Sequence, residues 1–170
     1  MQAMQRHNRT RRIRLPARPV ARAEDWSLPA IGELATLPIK ALTISQPYAS
    51  LIAGGSKIVE NRTWDTRYRG PLAIHAGRGL QYLDRDQLAD YPHGGIIAVA
   101  RLVACLNVTA IQTASPDTQI AGTIWTYRTL RDHAHTEGPW CWVLSDVRRC
   151  RFIPCRGAQG LWDFMGSVGV

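Results

Sequence analysis

Residues 94 to 108 constrain the fold more than any other part of the chain. The stretch "GGIIAVARLVACLNV" is apolar along nearly its whole length. A strand with this composition is covered on both faces, because alternation of polar and apolar residues is typical only of a strand with one face in water. We therefore predict a buried barrel strand here.

Shorter strand patterns surround this segment. "IKALTIS" begins at Ile39, "KIVENRTW" spans 57 to 64, and "GPLAIHAG" spans 70 to 77. "PWCWVLSDV" and "CRFIPC" are typical of two further strands, and "GLWDF" closes the apolar part of the chain.

Three helices are predicted between the strands. One begins after Ser45 and Gln46, with Pro47 at its first position, and ends at Gly54 and Gly55. Residues 79 to 91 form an amphipathic pattern, and Ser115-Pro116-Asp117 marks a helix start inside a polar excursion over 109 to 137. Short strands with few helices predict the α+β class, as a small mixed β-barrel with flanking helices.

The net charge of +8 is unevenly distributed over the 170 residues. Residues 1 to 22 contain seven arginines and no acidic residue, which leaves a net +1 for the remainder. We predict a flexible basic arm and a packed strap over 1 to 36, followed by one domain over 37 to 170. The arm is expected to lie on RNA or DNA, to aid solubility, or to be a presequence.

The remaining composition limits the class of protein. No run of residues is long and apolar enough for a membrane span, and no secretory signal is recognisable. The four cysteines, without a C-x-x-C pair, are typical of reduced thiols in a cytoplasmic protein. We expect no cofactor, no metal and no membrane partner, and a structural zinc site is the minor alternative.

The segment "GGSKIVENR" carries the clearest indication of chemistry. Lys57 and Lys40 are the chain's two lysines, against 19 arginines. Lys57, Glu60 and Arg62 follow a glycine pair, where a ligand can approach the backbone closely. In a strand, Glu60 and Arg62 would share a face and Lys57 would not, so Lys57 must lie in the preceding loop or beyond a bulge. The alternative interpretation is an edge strand with a Glu60–Arg62 ion pair and a solvated lysine.

Three motifs follow one another in this part of the chain: "SQPYA", the pattern G-x-K-x-x-E-x-R, which starts at Gly55, and "YRGPLAIHA". By these motifs, residues 39 to 165 resemble the ASCH domain of the PUA-like superfamily, in its bacterial or phage type. The resemblance implies a small β-barrel that holds RNA or a modified nucleotide, with DNA as a further candidate, in a cleft between barrel and first helix.

The same resemblance implies the residues of the cleft. Lys57, Glu60 and Arg62 would line it, and Ser45, Gln46 and Tyr48 would border it, with Tyr48 stacking on a base. Two other residues are candidates from their surroundings: Arg69, in a basic and aromatic loop, for a phosphate, and His75, on an apolar strand, for a ligand contact or a structural hydrogen bond.

Some similar proteins are hydrolases, which gives a second function for the same cleft. N4-acetylcytidine amidohydrolases of this family use a lysine and a threonine, and others are ribonucleases. In this chain Lys57 matches the lysine, but Glu60 occupies the threonine position. A hydrolase would therefore have to activate water with Lys57 and Glu60.

Overall fold

The computed structural model describes residues 39–79 and 81–166. The predicted arm and strap over 1 to 36 lie outside the described residues, and the boundary between them and the domain stays a prediction. None of the helices in the described ranges is long and apolar enough to cross a membrane.

Six strands form one mixed sheet in the order β2-β5-β4-β3-β1-β6. β1 and β3 pair in parallel, and the other neighbouring strands pair antiparallel. The strands are β1 Ile39–Ile44, β2 Val59–Arg62, β3 Gly70–Ala76, β4 Gly95–Asn107, β5 Trp140–Pro154 and β6 Leu161–Phe164.

The apolar segment that begins at Gly94 forms β4, a central strand, as predicted. The two strands predicted from "PWCWVLSDV" and "CRFIPC" are instead one long strand, β5. The pairing of β5 with β4 continues through the polar middle of β5 because the register shifts there. Asp146, in this middle part, has a φ of 49°. Bulges of this kind bend a strand without ending its pairing.

The α+β class is confirmed, but the sheet does not close into the expected barrel among the described residues. β2 pairs with β5 alone and β6 with β1 alone, so each is an edge strand of four residues. Beyond Leu42, which is opposite Leu161, β1 has no partner strand on its outer side in the part of the chain that the structure describes. There the Arg62 Nη2 donates to the Thr43 carbonyl oxygen at 3.0 Å. A side chain thus joins β2 to β1, where a closed barrel would have backbone hydrogen bonds between the two strands.

The first predicted helix is confirmed as α1, Tyr48–Ala53, and all its residues after Tyr48 are buried. The helix predicted over 79 to 91 is wrong: the structure has a 3-10 helix, Arg85–Asp90, instead. Its first turn closes when the Gln87 Oε1 accepts from the Asp84 backbone N–H. Tyr91 is extended because the ring of the following proline, Pro92, disfavours helical geometry at the residue before it.

The helix predicted at Ser115 is also wrong, because residues 115 to 118 form a turn. The two helices of this region begin elsewhere, at α2, Val108–Thr113, and α3, Tyr127–Asp132. Side chains set both starts: the Asn107 Oδ1 accepts from the Thr109 N–H, and the Thr126 Oγ1 accepts from the Thr129 N–H.

Alternation along β1 and β3 places two clusters of buried side chains on opposite faces of the sheet. Leu42, Ile44 and Ile74 pack with α1 and the fully buried Trp142 on one face. Ala41 and Ala73 pack on the other. α1 is therefore fixed beside the unpaired end of β1, at the gap between the two sheet edges.

Candidate functional site

A cavity of about 340 Å³ occupies this gap between the end of β1, α1 and β2. Its volume lies within the range of about 300 to 1,000 Å³ that is typical of small-molecule sites. The cavity is lined by Thr43, Ile44, Ser45, Tyr48, Lys57, Glu60, Asn61, Arg62, Gln81, Tyr82, His135 and Glu137.

The end of α1 positions Lys57. The Leu51 carbonyl oxygen accepts from the backbone N–H groups of Ser56 and Lys57, at 3.0 and 3.1 Å. Gly55 takes a φ of +78°, which an L side chain would strain. The chain thus turns back at the end of the helix. Lys57 lies in the loop before β2, as predicted from the alternation of side chains along a strand.

Lys57, Glu60 and Arg62 form a continuous ion-pair chain on the cavity wall. The Lys57 Nζ lies 2.8 Å from the Glu60 Oε2, and the Arg62 Nη2 lies 3.1 Å from the Glu60 Oε1. The Lys57 ammonium also donates to the Val59 carbonyl oxygen. Lys57 and Glu60 are 2% and 7% exposed, so this is a buried pair. Of the alternative interpretation, the edge strand and the Glu60–Arg62 ion pair are present, and the solvated lysine is excluded.

These groups keep hydrogen-bonding capacity for a ligand. An ammonium has three donors, and the contacts of Lys57 with Val59 and Glu60 use two. The buried Nε of Arg62 has no hydrogen-bond partner among the described residues. The lining holds two basic side chains, Lys57 and Arg62, and two acidic ones, Glu60 and Glu137, so its formal charge is balanced.

Aromatic rings form another part of the cavity wall. The Tyr48 ring meets the rings of Tyr82 and His135 edge to face, with centroids 5.2 and 6.0 Å apart. The Lys57 Nζ is 5.7 Å from the Tyr48 centroid. Burial raises the pKa of Tyr48 and lowers that of His135, and the Lys57 charge lowers the pKa of His135 further. The tyrosine is therefore a neutral donor at neutral pH, and the imidazole is a neutral group.

His135 and Glu137 reach the cavity from the loop that follows α3, which the sequence did not indicate. Asn61 holds this loop: its Nδ2 donates to the His135 carbonyl oxygen at 2.7 Å. Its Oδ1 accepts from the Glu137 and Gly138 N–H groups. The one available signal was the His133-x-His135 spacing, which has no specific meaning by itself.

Five of the predicted site residues, Ser45, Tyr48, Lys57, Glu60 and Arg62, line the cavity, and the other three lie outside it. Gln46 is fully buried, with its Oε1 accepting from the Ser50 N–H and its Nε2 donating to the Pro92 carbonyl oxygen. The exposed Arg69 donates to carbonyl oxygens of its own loop. His75 is buried on the other face of the sheet.

The described ranges contain no group of three or more His, Cys, Asp or Glu residues placed to hold a metal. The cysteines Cys105, Cys141, Cys150 and Cys155 are all free thiols.

Residues 42–152 match the model of the ASCH domain, and the chain belongs to this family. ASCH domains are related to the PUA-like RNA-binding domains.

Individual relatives share parts of the chain. Activating signal cointegrator 1 from Mus musculus is 34% identical over 92 residues, and that from Homo sapiens is 33% identical over 92 residues. Each match covers 45% of this chain and 16% of the relative, so the chain spans only a small part of these proteins.

Solved structures with a similar fold include ASCH from Zymomonas mobilis. It is 17% identical, with a TM-score of 0.40, over 68% of this chain and 72% of that chain. A point variant of the same protein gives 18% identity and a TM-score of 0.41, over 68% and 74%.

Proposed function

We propose that the cavity between α1, β1 and β2 binds one base of RNA or of a modified nucleotide. The observation that carries the proposal is the buried Lys57–Glu60–Arg62 chain, which presents donors beside acceptors on the wall of a charge-balanced cavity. Such a wall complements the edge of a heterocycle, which also alternates donors and acceptors.

The aromatic part of the wall supports the same proposal. Tyr48 is half-buried between Tyr82 and His135, so its ring is held in place before a ligand arrives. Stacking of a base on an aromatic ring contributes about 1 to 3 kcal/mol. Membership of a family related to RNA-binding domains agrees with this chemistry.

Equilibrium binding of a labelled single-stranded RNA tests the proposal. Lys57→Met and Glu60→Gln each remove a buried polar contact, which costs about 1 to 3 kcal/mol, or about 5- to 150-fold in Kd. The matched control is Lys40→Met: it removes the other lysine, whose half-exposed pair with Asp163 lies outside the cavity. Equal Kd values for Lys57→Met and Lys40→Met would contradict the proposal. A single-stranded DNA of the same sequence tests whether the protein prefers RNA to DNA.

A hydrolase that uses the same cavity is the second candidate, and the neutral His135 favours it. An imidazole with a lowered pKa can accept a proton from water at neutral pH, and Lys57 and Glu60 line the same cavity. Incubation with N4-acetylcytidine and with single-stranded RNA, followed by chromatography, tests this candidate. Product that forms with the native chain but not with Lys57→Met would replace binding with hydrolysis as the main function.

A further inference from the structure

A second cavity, of about 610 Å³, opens on the other face of the sheet at the same end of β1. Thr43 and His75 are register partners on β1 and β3, so their side chains share this face. The lining includes these two residues and Arg78, Gly94, Arg156 and Gly157. Thr43 is its one residue in common with the first cavity.

We propose that this second cavity binds a phosphate group, and that the group belongs to the strand whose base enters the first cavity. The second clause rests on the proposed function; the first stands on the cavity's own residues. The two cavities would then hold one nucleotide strand at two points, its base and its backbone.

Charge distinguishes the two cavities. Arg78 and Arg156 line the second one, and its lining contains no carboxylate. Neither arginine forms an ion pair with any residue in the described ranges. The first cavity is balanced and suits a neutral heterocycle, whereas the second has a formal charge of +2 and suits an anion. Arginine forms paired hydrogen bonds with phosphate oxygens.

Glycines give this cavity its shape. Gly94 has a φ of +75°, and a Cβ on it would lie 2.7 Å from the Arg78 Nε, so the bare backbone lets the Arg78 side chain lie against it. A Cβ on Gly157 would lie 2.5 Å from the His75 Cε1 and 2.7 Å from the Thr43 Oγ1. The loop after β5 can therefore approach the sheet only because residue 157 is glycine.

His75 forms the floor. It is 2% exposed, and its Nε2 lies 3.2 Å from the Cys155 carbonyl oxygen. Its Nδ1 is buried and has no hydrogen-bond partner among the described residues. A buried polar atom without a partner is uncommon in a folded protein and needs an explanation. An anionic phosphate oxygen beside Arg78 would supply one by accepting from Nδ1, with the ring protonated at both nitrogens.

The position of Thr43 joins the two cavities. β6 pairs with β1 only as far as Leu42, so no strand covers the edge at Thr43 among the described residues. The Thr43 carbonyl oxygen accepts from Arg62 in the first cavity, and its Oγ1 accepts from the Trp162 Nε1 on the second face. A nucleic-acid strand that crosses this end of β1 would contact both cavities.

The test uses the full chain and compares two pairs of arginine substitutions. Arg78→Gln with Arg156→Gln alters the second cavity. Arg148→Gln with Arg151→Gln removes the same charge from exposed positions of β5 outside both cavities. The probes are a nucleoside, its 5′- and 3′-monophosphates, and inorganic phosphate, with the His75 ring resonances as the local readout.

We expect at least one monophosphate to bind about tenfold or more tightly than the nucleoside, and the cavity pair of substitutions to abolish this gain while the control pair retains it. Inorganic phosphate should shift the His75 resonances in the native chain and in the control, but not in the cavity variant. Equal losses in both variants, or His75 resonances that do not respond to phosphate, would overturn the inference.

The two proposals can fail separately. Nucleoside binding that depends on Lys57, without a response of His75 to phosphate, keeps the proposed function and overturns the phosphate site. A response of His75 to phosphate that needs Arg78 and Arg156, without nucleoside binding, keeps the phosphate site and overturns the proposed function.

Discussion

At the scale of single residues, Lys57 should stabilise the fold as well as line the cavity. Its removal leaves Glu60 buried, with Arg62 as its remaining partner. Loss of one member of a buried pair costs about 3 to 5 kcal/mol, and we expect Lys57→Met to lower the free energy of unfolding by about 3 kcal/mol, since Arg62 compensates in part. Lys40→Met should cost at most about 1 kcal/mol. Urea denaturation of both variants measures the difference, and equal values would contradict the buried pair.

His75 predicts a dependence of stability on pH. Burial lowers its pKa below the ordinary value of 6.5, the Cys155 hydrogen bond opposes this shift, and the Arg78 charge adds to it. The unfolded chain therefore binds a proton at a higher pH than the folded chain. Its contribution to stability is complete above about pH 6.5 and is lost as the pH falls toward the folded pKa. His133 and His135, whose pKa values are also lowered, act in the same direction.

The measurement is the free energy of unfolding between pH 7.5 and 5, for the native chain and for His75→Gln. We expect stability to decrease on acidification, with a smaller slope in the variant. A slope that is the same in both would show that His75 has an ordinary pKa in the folded protein.

At the scale of elements, the loop after α3 depends on one amide side chain from β2. Asn61 makes three hydrogen bonds to residues 135 to 138 and thereby places His135 and Glu137 at the cavity. Asn61→Ala should lower the free energy of unfolding by about 1 to 3 kcal/mol and weaken RNA binding. Asn107→Ala, which removes the cap of α2 at a similar cost in stability, is the control and should leave binding unchanged. If both variants bound RNA more weakly, the loss would reflect reduced stability, and the loop after α3 would have no specific role in binding.

The elements also show what sequence patterns can and cannot predict. β1, α1, β3 and β4 follow from local signals, because their apolar runs end at glycine, proline or cap residues. The cavity needed contacts between residues far apart in the chain: Asn61 with His135, and Arg62 with Thr43. No local pattern predicts such pairs, and the resemblance to a known family supplied the grouping of Lys57, Glu60 and Arg62 instead. The prediction of a closed barrel was wrong because a side-chain contact, Arg62 with Thr43, joins β2 to β1 in place of strand pairing. Local sequence patterns do not predict such a contact.

At the scale of the whole molecule, the excess of positive charge is concentrated in residues 1 to 22 of the sequence. Replacing the seven arginines of residues 1 to 22 by glutamine lowers the net charge from +8 to +1. If the segment contacts phosphates, affinity for RNA should decrease for all sequences, and the dependence of log Kd on log salt should become flatter. Titrations at several salt concentrations measure this slope. An unchanged slope would assign the segment a role other than nucleic-acid binding.

Crosslinking tests the central claim most directly. Single-stranded RNA that contains 4-thiouridine is irradiated with the full chain, and mass spectrometry identifies the crosslinked peptides. If one base enters the cavity, crosslinks will map to Tyr48 and to the peptide that contains Lys57 and Glu60, and an excess of free nucleoside will suppress them. Crosslinks confined to residues 1 to 22, with none at the cavity, would contradict the claim.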